Sequence, residues 1–187
     1  MDYGAAFLFG AYLLDRFSAA GLADLVADAA HGTTSVGNAA TALDPDLTFV
    51  GFFAEFAAAL LLDDESVGDG RYAFLDLDPP TPPATAVAFP ATAATVSVPG
   101  GGIAFANLPL DGAAHAQIGI DVDVPAAANV GARVVLVDPV VGDQVQEVIP
   151  GTHTWVIEVP DTATALQFAF ATDEDLPVSV AITARDE

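Results

Sequence analysis

Residues 117–124 read Gln117-Ile118-Gly119-Ile120-Asp121-Val122-Asp123-Val124, and their alternation decides the fold class. Ile118, Ile120, Val122 and Val124 share one face, while Gly119, Asp121 and Asp123 share the other. That two-residue period belongs to a strand with one side in a core. The same pattern recurs downstream. In Thr154–Val159, the residues Trp155, Ile157 and Val159 face inward and Glu158 faces outward; Leu166, Phe168 and Phe170 repeat it, as do Val178, Val180 and Ile182. Adding Thr95–Val98, Ile103–Leu108, Arg133–Val137 and Val145–Ile149 gives about eight strands, at the spacing of an antiparallel sandwich. Turn signals fall between them at Pro99-Gly100-Gly101-Gly102, read as a hairpin turn, and at Asp111-Gly112, Gly142-Asp143 and Pro150-Gly151.

Upstream, the period changes to that of helices, with Ala, Leu and Phe three to four residues apart. Four helices are expected. The first, Tyr3–Phe17, carries Phe7, Ala11 and Leu14 as its apolar face. Gly21–Ala30 follows, closed by His31-Gly32, where glycine adopts a left-handed cap cheaply. Ser35 is expected to cap Ser35–Leu43, and Asp46 to cap Leu47–Leu62. The last helix is apolar around most of its circumference, with Glu55 its only charge, so it should be surrounded. Either the β half or a partner must cover what three short neighbours cannot. The chain is therefore α+β: a helical subdomain over 1–70, a Pro-rich connector over 71–83 containing Asp78-Pro79-Pro80-Thr81-Pro82-Pro83, and an antiparallel, jelly-roll-like β-sandwich over 84–187. Tyr72–Leu77 is a possible further strand.

Composition narrows the function classes. The 187 residues hold 26 Asp+Glu and 4 Lys+Arg, all four of them arginine, for a net charge of -22. No basic patch exists to displace phosphate counterions, which argues against nucleic acid and against an anionic membrane surface. A hydrophobic share of 53% argues against global disorder. Acidic excess without lysine points to a molar-salt habitat, where a Debye length of roughly 3 Å screens self-repulsion. The longest apolar runs, Gly4–Leu14 and Leu47–Leu62, fall short of the roughly 20 residues that span a bilayer. The acidic flank Met1-Asp2-Tyr3 does not suit a signal peptide, so the sequence as written reads as cytoplasmic.

Candidate chemistry is sparse. His31, His115 and His153 lie on separate elements and form no zinc motif. Glu55 reads either as a buried acid or, preferably, as a partner of Arg16 or Arg71. Asp121 and Asp123, and the loop Asp63-Asp64-Glu65 with Asp69, are the places where calcium would be held, although the loop lacks EF-hand spacing. Gly100-Gly101-Gly102 has no following helix start or lysine, so it is no phosphate cradle. No catalytic, cofactor or metal residue is assigned.

The run Tyr3-Gly4-Ala5-Ala6-Phe7-Leu8-Phe9, with Tyr12-Leu13, Arg16-Phe17, Gly21-Leu22 and Leu25-Val26, resembles a segment of secreted zinc metallopeptidases of the HExxH class. These are the hyicolysin-like and immune-inhibitor-A-like groups, here in a halophilic archaeal form. The resemblance continues through Gly32, Ala42-Leu43 and Phe52-Phe53, Phe56 and Ala59-Leu60. It covers about 60 residues closely. It implies the helical subdomain that follows the metal ligands, then a β-sandwich, in an extracellular parent. The HExxH itself would lie upstream of Met1, so no catalytic residue carries over. The resemblance also implies that the open side of Leu47–Leu62 docks the missing subdomain.

Three functions compete. The first is a non-catalytic C-terminal portion of such a peptidase-like protein, with a protein partner or self-association through helix 47–62. The second is a structural subunit of a virion or cell-surface assembly. The third is a carbohydrate or small-ligand module that stacks sugar on Trp155 or Tyr72.

Overall fold

A computed structural model describes residues 3–110, 115–151 and 154–187. The expected turn at Asp111-Gly112 and the residue His153 lie outside them. Helices α1 (Tyr3–Ala27), α2 (Gly32–Leu43) and α3 (Phe49–Leu62) precede nine strands. These are β1 (Thr85–Ala86), β2 (Ala91–Val98), β3 (Ile103–Pro109), β4 (Gln117–Asp123), β5 (Val130–Val137), β6 (Gln144–Val148), β7 (Trp155–Glu158), β8 (Ala165–Thr172) and β9 (Val178–Asp186). The fold is α+β.

The strands form a five-stranded sheet, ordered β1-β3-β8-β5-β6, and a four-stranded sheet, ordered β2-β9-β4-β7. Every pairing is antiparallel except the short β1–β3 contact. Register across the five-stranded sheet lines up Ala106, Phe168 and Val134, then Leu108, Leu166 and Leu136. These rows face the four-stranded sheet and join Ile118, Ile120, Val122, Val180 and Ile182 in one sandwich core. The inward set read from alternation is buried except for Val124 and Trp155, which are partly buried against the core.

The outer face of the five-stranded sheet carries a second core. There the rows are Ile103, Ala171 and Gly131, then Phe105, Ala169 and Arg133. Phe105 and Ala169 join Tyr12, Phe17, Phe52 and Phe56 in this helical core. Strand β5 is thus buried on both sides, as its unbroken apolar run requires. The β half covers α3, and ten of the helix's fourteen residues are buried. Helical layer and sandwich share this core. Tyr72, Ala73 and Phe74, inside the Pro-rich stretch, are buried in or beside it, and residues 72–77 form no strand.

Several expected boundaries shift. The first two helices meet at Ser18, whose φ of 61° breaks the helical path directly after Phe17, where the first was expected to end; they are labelled together as α1, and the second ends at Ala27 rather than Ala30. α2 begins at Gly32 rather than Ser35, because His31 and Gly32 both take positive φ and start the turn earlier. Ser35 is buried inside it. Thr48, not Asp46, caps α3; its Oγ1 accepts from the Gly51 N–H at 3.1 Å, worth about 1 kcal/mol. Asp46 is instead held in a local turn, donating its N–H to Asp44 Oδ1 at 3.0 Å. Pro99–Gly102 is not a hairpin. It carries the chain from β2 in one sheet to β3 in the other, tied by Gly101 N–H to Glu174 O at 2.7 Å.

By length and composition alone, residues Gly4–Ala27 of α1 could cross a membrane. In the fold, α1 packs through Tyr12, Leu13 and Phe17, all buried. The face read as its core stripe points the other way: Phe7 is 64% exposed and Leu14 46%. α1 is apolar on two sides, so periodicity alone could not choose between them.

The seat of α3 depends on small residues. A Cβ at Gly131 would run into the Val50 carbonyl, lying 2.8 Å from its carbon and 3.1 Å from Ala54 Cβ. Gly131→Ala should therefore lift α3 off the sheet and cost up to about 3 kcal/mol by urea unfolding. Gly10→Ala, which meets nothing within 4 Å on the exposed side of α1, should be neutral or stabilising by about 0.5–1 kcal/mol.

Candidate functional site

Three of the four arginines converge on Glu55. The carboxylate sits in the middle of α3 and faces β5, where alternation turns Arg133 out of the sandwich and toward the helix. Arg16 Nη2 lies 3.4 Å from Glu55 Oε2; Arg71 Nη1 and Arg133 Nη2 lie 3.6 and 3.7 Å from Oε1. Arg133 is 2% exposed. It donates to Ala132 O at 3.0 Å, to Gly51 O at 3.3 Å and to Glu147 Oε1 at 3.1 Å. The Nε atoms of Arg16 and Arg133 are buried without a hydrogen-bond partner among the described residues. Burial raises the Glu55 pKa above the usual carboxylate value, and Arg133, Arg16 and Arg71 pull it back. Tyr12 beside it donates to Arg71 O at 2.8 Å. Burial, then the Glu55 charge, pushes its phenol up.

This cluster ties α1, α3, the loop at Arg71 and β5 to one point. The preferred reading of Glu55, an ion pair with Arg16 or Arg71, holds for both. Arg133, a strand residue far away in sequence, had no signal that would place it there.

The other candidates are spread out or already engaged. His115 is buried; its Nδ1 lies 2.6 Å from Asp186 Oδ1, and its ring meets Phe89 edge-on at 4.7 Å. Exposed His31 lies at the start of α2, where its carbonyl accepts from Ser35 N–H at 3.4 Å. Asp121 accepts from Thr154 Oγ1 and from Arg185 Nη1, each at 2.6 Å. Those bonds hold its pKa below the ordinary aspartate value. Asp63 closes α3 in the left-handed region and accepts from Phe74 N–H at 2.9 Å; Asp64 accepts from Ser66. These acids hold loops and strands in place, and among the described residues no three metal-ligating side chains gather. Tyr72 is buried, and Trp155 is half-buried against the sandwich core.

Three openings flank α1, one of them between it and α2 along Phe17, Leu25 and Ala39. A groove of 580 Å³ runs between α1, α3 and the β2–β3 crossing, walled by Phe9, Phe49, Phe53 and Phe56, with Ile103 and Asp173. Phe9 meets Phe53 and Phe56 edge-on at 5.3 and 5.0 Å, while the Phe53 and Phe56 rings lie parallel, 5.9 Å apart. A shallower hollow of 440 Å³ lies along Phe7, Gly10 and Leu14, edged by Asp15 and Leu77.

No family model and no curated protein matches the chain. Among solved structures, the Yersinia pseudotuberculosis-derived mitogen aligns over 51% of this chain and 85% of its own, with a TM-score of 0.37 and 10% identity. The periplasmic g-type lysozyme inhibitor PliG of Salmonella Typhimurium aligns over 55% of this chain and 100% of its own, with a TM-score of 0.35 and 12% identity. PliG of Aeromonas hydrophila covers 55% and 97%, with a TM-score of 0.30 and 17% identity. Likenesses this distant carry no argument about fold or function.

Three substitutions test the polar contacts. Arg133→Met leaves Glu55 with its two more exposed partners and should cost about 3–5 kcal/mol in urea unfolding. Arg71→Ala, whose side chain is 40% exposed, should cost about 1 kcal/mol or less. Asp138 accepts the N–H groups of Val141 and Val140 at 3.0 and 2.8 Å and the Thr162 hydroxyl at 2.8 Å. These bonds, that of Val141 first, hold its pKa below the ordinary value of 3.8. Its stabilisation is thus complete above 3.8 and is lost as pH falls through the lower folded value. The urea midpoint of the wild type should exceed that of Asp138→Asn at neutral pH, and the gap should close on acidification.

Proposed function

We propose that the chain is a non-catalytic module of a zinc metallopeptidase-like protein. In this reading its helical layer follows the metal-binding part and its sandwich is an accessory interaction domain. Two observations support it. The residues that carry the resemblance form one packing unit: Tyr12 stacks near Phe52 and Phe56 at 5.4 and 5.5 Å, and Phe17 stacks on Phe52 at 5.2 Å. Each aromatic pair adds about 0.5–1.5 kcal/mol. The motif is therefore a recipe for docking α1 onto α3.

The observation that carries the proposal is what this packing leaves over. Phe7 and Leu14, on the stripe that the sequence reserves for a core, stand in water. Exposed apolar stripes of this kind mark protein contacts. On α3 itself only Phe49, Phe53, Leu61 and Leu62 remain half-buried, so the surface left for a partner lies mainly on α1. The acidic surface, at a net charge of -22, suits a halophilic setting in which salt screens self-repulsion.

The test is a pair of measurements on the 187-residue protein in molar KCl. Phe7→Glu with Leu14→Glu should leave the melting temperature within a few degrees and weaken binding of a hydrophobic dye. Zinc should elicit no casein hydrolysis. The DNA upstream should encode an in-frame HExxH followed by a glutamate. Zinc-dependent hydrolysis by this chain, or a double variant that unfolds, would overturn the proposal, as would an upstream region without the motif.

A further inference from the structure

The phenylalanine groove joins an aromatic wall to an unneutralised acid. Phe9, Phe49 and Phe53 are half-buried along it, and Phe56, nearly fully buried, forms its floor. Its volume of 580 Å³ lies in the range of small-molecule sites. Beyond the rings, the polar side chains that line it are those of Thr33, Thr172 and Asp173. Thr172 is committed: its hydroxyl donates to Asn129 O at 2.8 Å and accepts from Glu174 N–H at 3.2 Å. Asp173 is exposed, and its Oδ1 accepts from Asn129 Nδ2 at 3.0 Å.

The sign of the ligand follows from where the protein's own cations are. There is no lysine. Arg16, Arg71 and Arg133 are held on Glu55, and Arg185 is paired with Asp121 and Glu187. Among the described residues no basic side chain lines the groove, so none there neutralises Asp173 at the end of the aromatic wall. An anion would be repelled there by the net charge of -22. A neutral apolar molecule would gain from the rings but nothing from the acid. An organic cation gains from both, because ammonium groups are attracted to ring faces and to carboxylates.

We propose that this groove is a binding site for a small organic ammonium with an apolar body. The body lies on Phe49, Phe53 and Phe56, and the charged head sits at the Asp173 end. The site is separate from the partner surface at Phe7 and Leu14.

Benzyltrimethylammonium is the probe, titrated into the full chain by isothermal calorimetry in molar KCl, which screens diffuse attraction to the acidic surface. Benzenesulfonate supplies a similar ring with the opposite charge, and tetramethylammonium the head without the body. Saturable 1:1 binding of benzyltrimethylammonium, with much weaker binding of the other two, is the expected result. Asp173→Asn, at an exposed position, should weaken it about tenfold, and Phe53→Leu should do the same. Asp175→Asn, another exposed acid, should leave it unchanged. Equal binding of benzenesulfonate, equal loss in Asp175→Asn, or no saturable binding would each overturn the proposal. So would binding of a basic amphipathic peptide but not of the small cation, which would make the groove a peptide site.

Discussion

Everything outside the sandwich depends on how closely α3 can lie on the five-stranded sheet. Gly131, Ala169 and Ala171 leave the outer face of β5 and β8 nearly flat beneath the helix, and Ala54 meets that surface from α3. Backbone contact at this range leaves no room for water. A charge placed in the seam must therefore be matched by charges from the protein itself. Glu55 and Arg133 are that match, one from each surface. Arg16 and Arg71 extend it to α1 and to the loop after α3. An apolar pair of similar volume could be as stable. What the ionic cluster adds is register, since the carboxylate can meet all three guanidiniums in only one seat of the helix.

The aromatic core follows from that seat. With α3 fixed, Phe52 and Phe56 point away from the sheet and collect Tyr12 and Phe17 from α1. α1 is held by α3, by α2 and by the 71–75 segment, where Tyr12 donates to Arg71 O and Asp15 accepts from Leu75 N–H. Its other side keeps the apolar character of a buried helix without a cover. Two of the openings that flank α1 differ in chemistry for this reason. The hollow along Phe7 and Leu14 is a plain apolar strip, whereas the groove behind Phe9 ends at the acidic turn after β8.

Strands were easier to read than the helical layer. In β4, β7 and β9 one face meets a core and the other meets water or polar neighbours, so Ile118, Ile157 and Val180 declared themselves by alternation, whereas β8, buried on both faces, was read from large residues alternating with small ones. β1 had no such signal, being two exposed residues that pair only because β3 is there. Among the helices, Asp46 was read as the cap of α3, whereas the helix starts two residues later than expected and Thr48 caps it. The break in α1 falls at Ser18, directly after the helix end at Phe17 that the apolar period set. The candidate site was half legible. Glu55 stood out as a lone charge on an apolar helix, but the residue that buries most deeply against it, Arg133, looked like any polar position in a strand.

The sequence by itself determined the class of fold, the inward set of each long strand and the need for α3 to be surrounded. Those are consequences of periodicity and composition, which act within a few residues of one another. The tertiary structure alone decided which sheet face would cover α3, which side of α1 would be left in water, and that three arginines from three distant segments would share one carboxylate. Such choices turn on shape and charge meeting across long stretches of chain. Gly131 and Arg133 acquire their roles only when a helix some eighty residues upstream is laid against them.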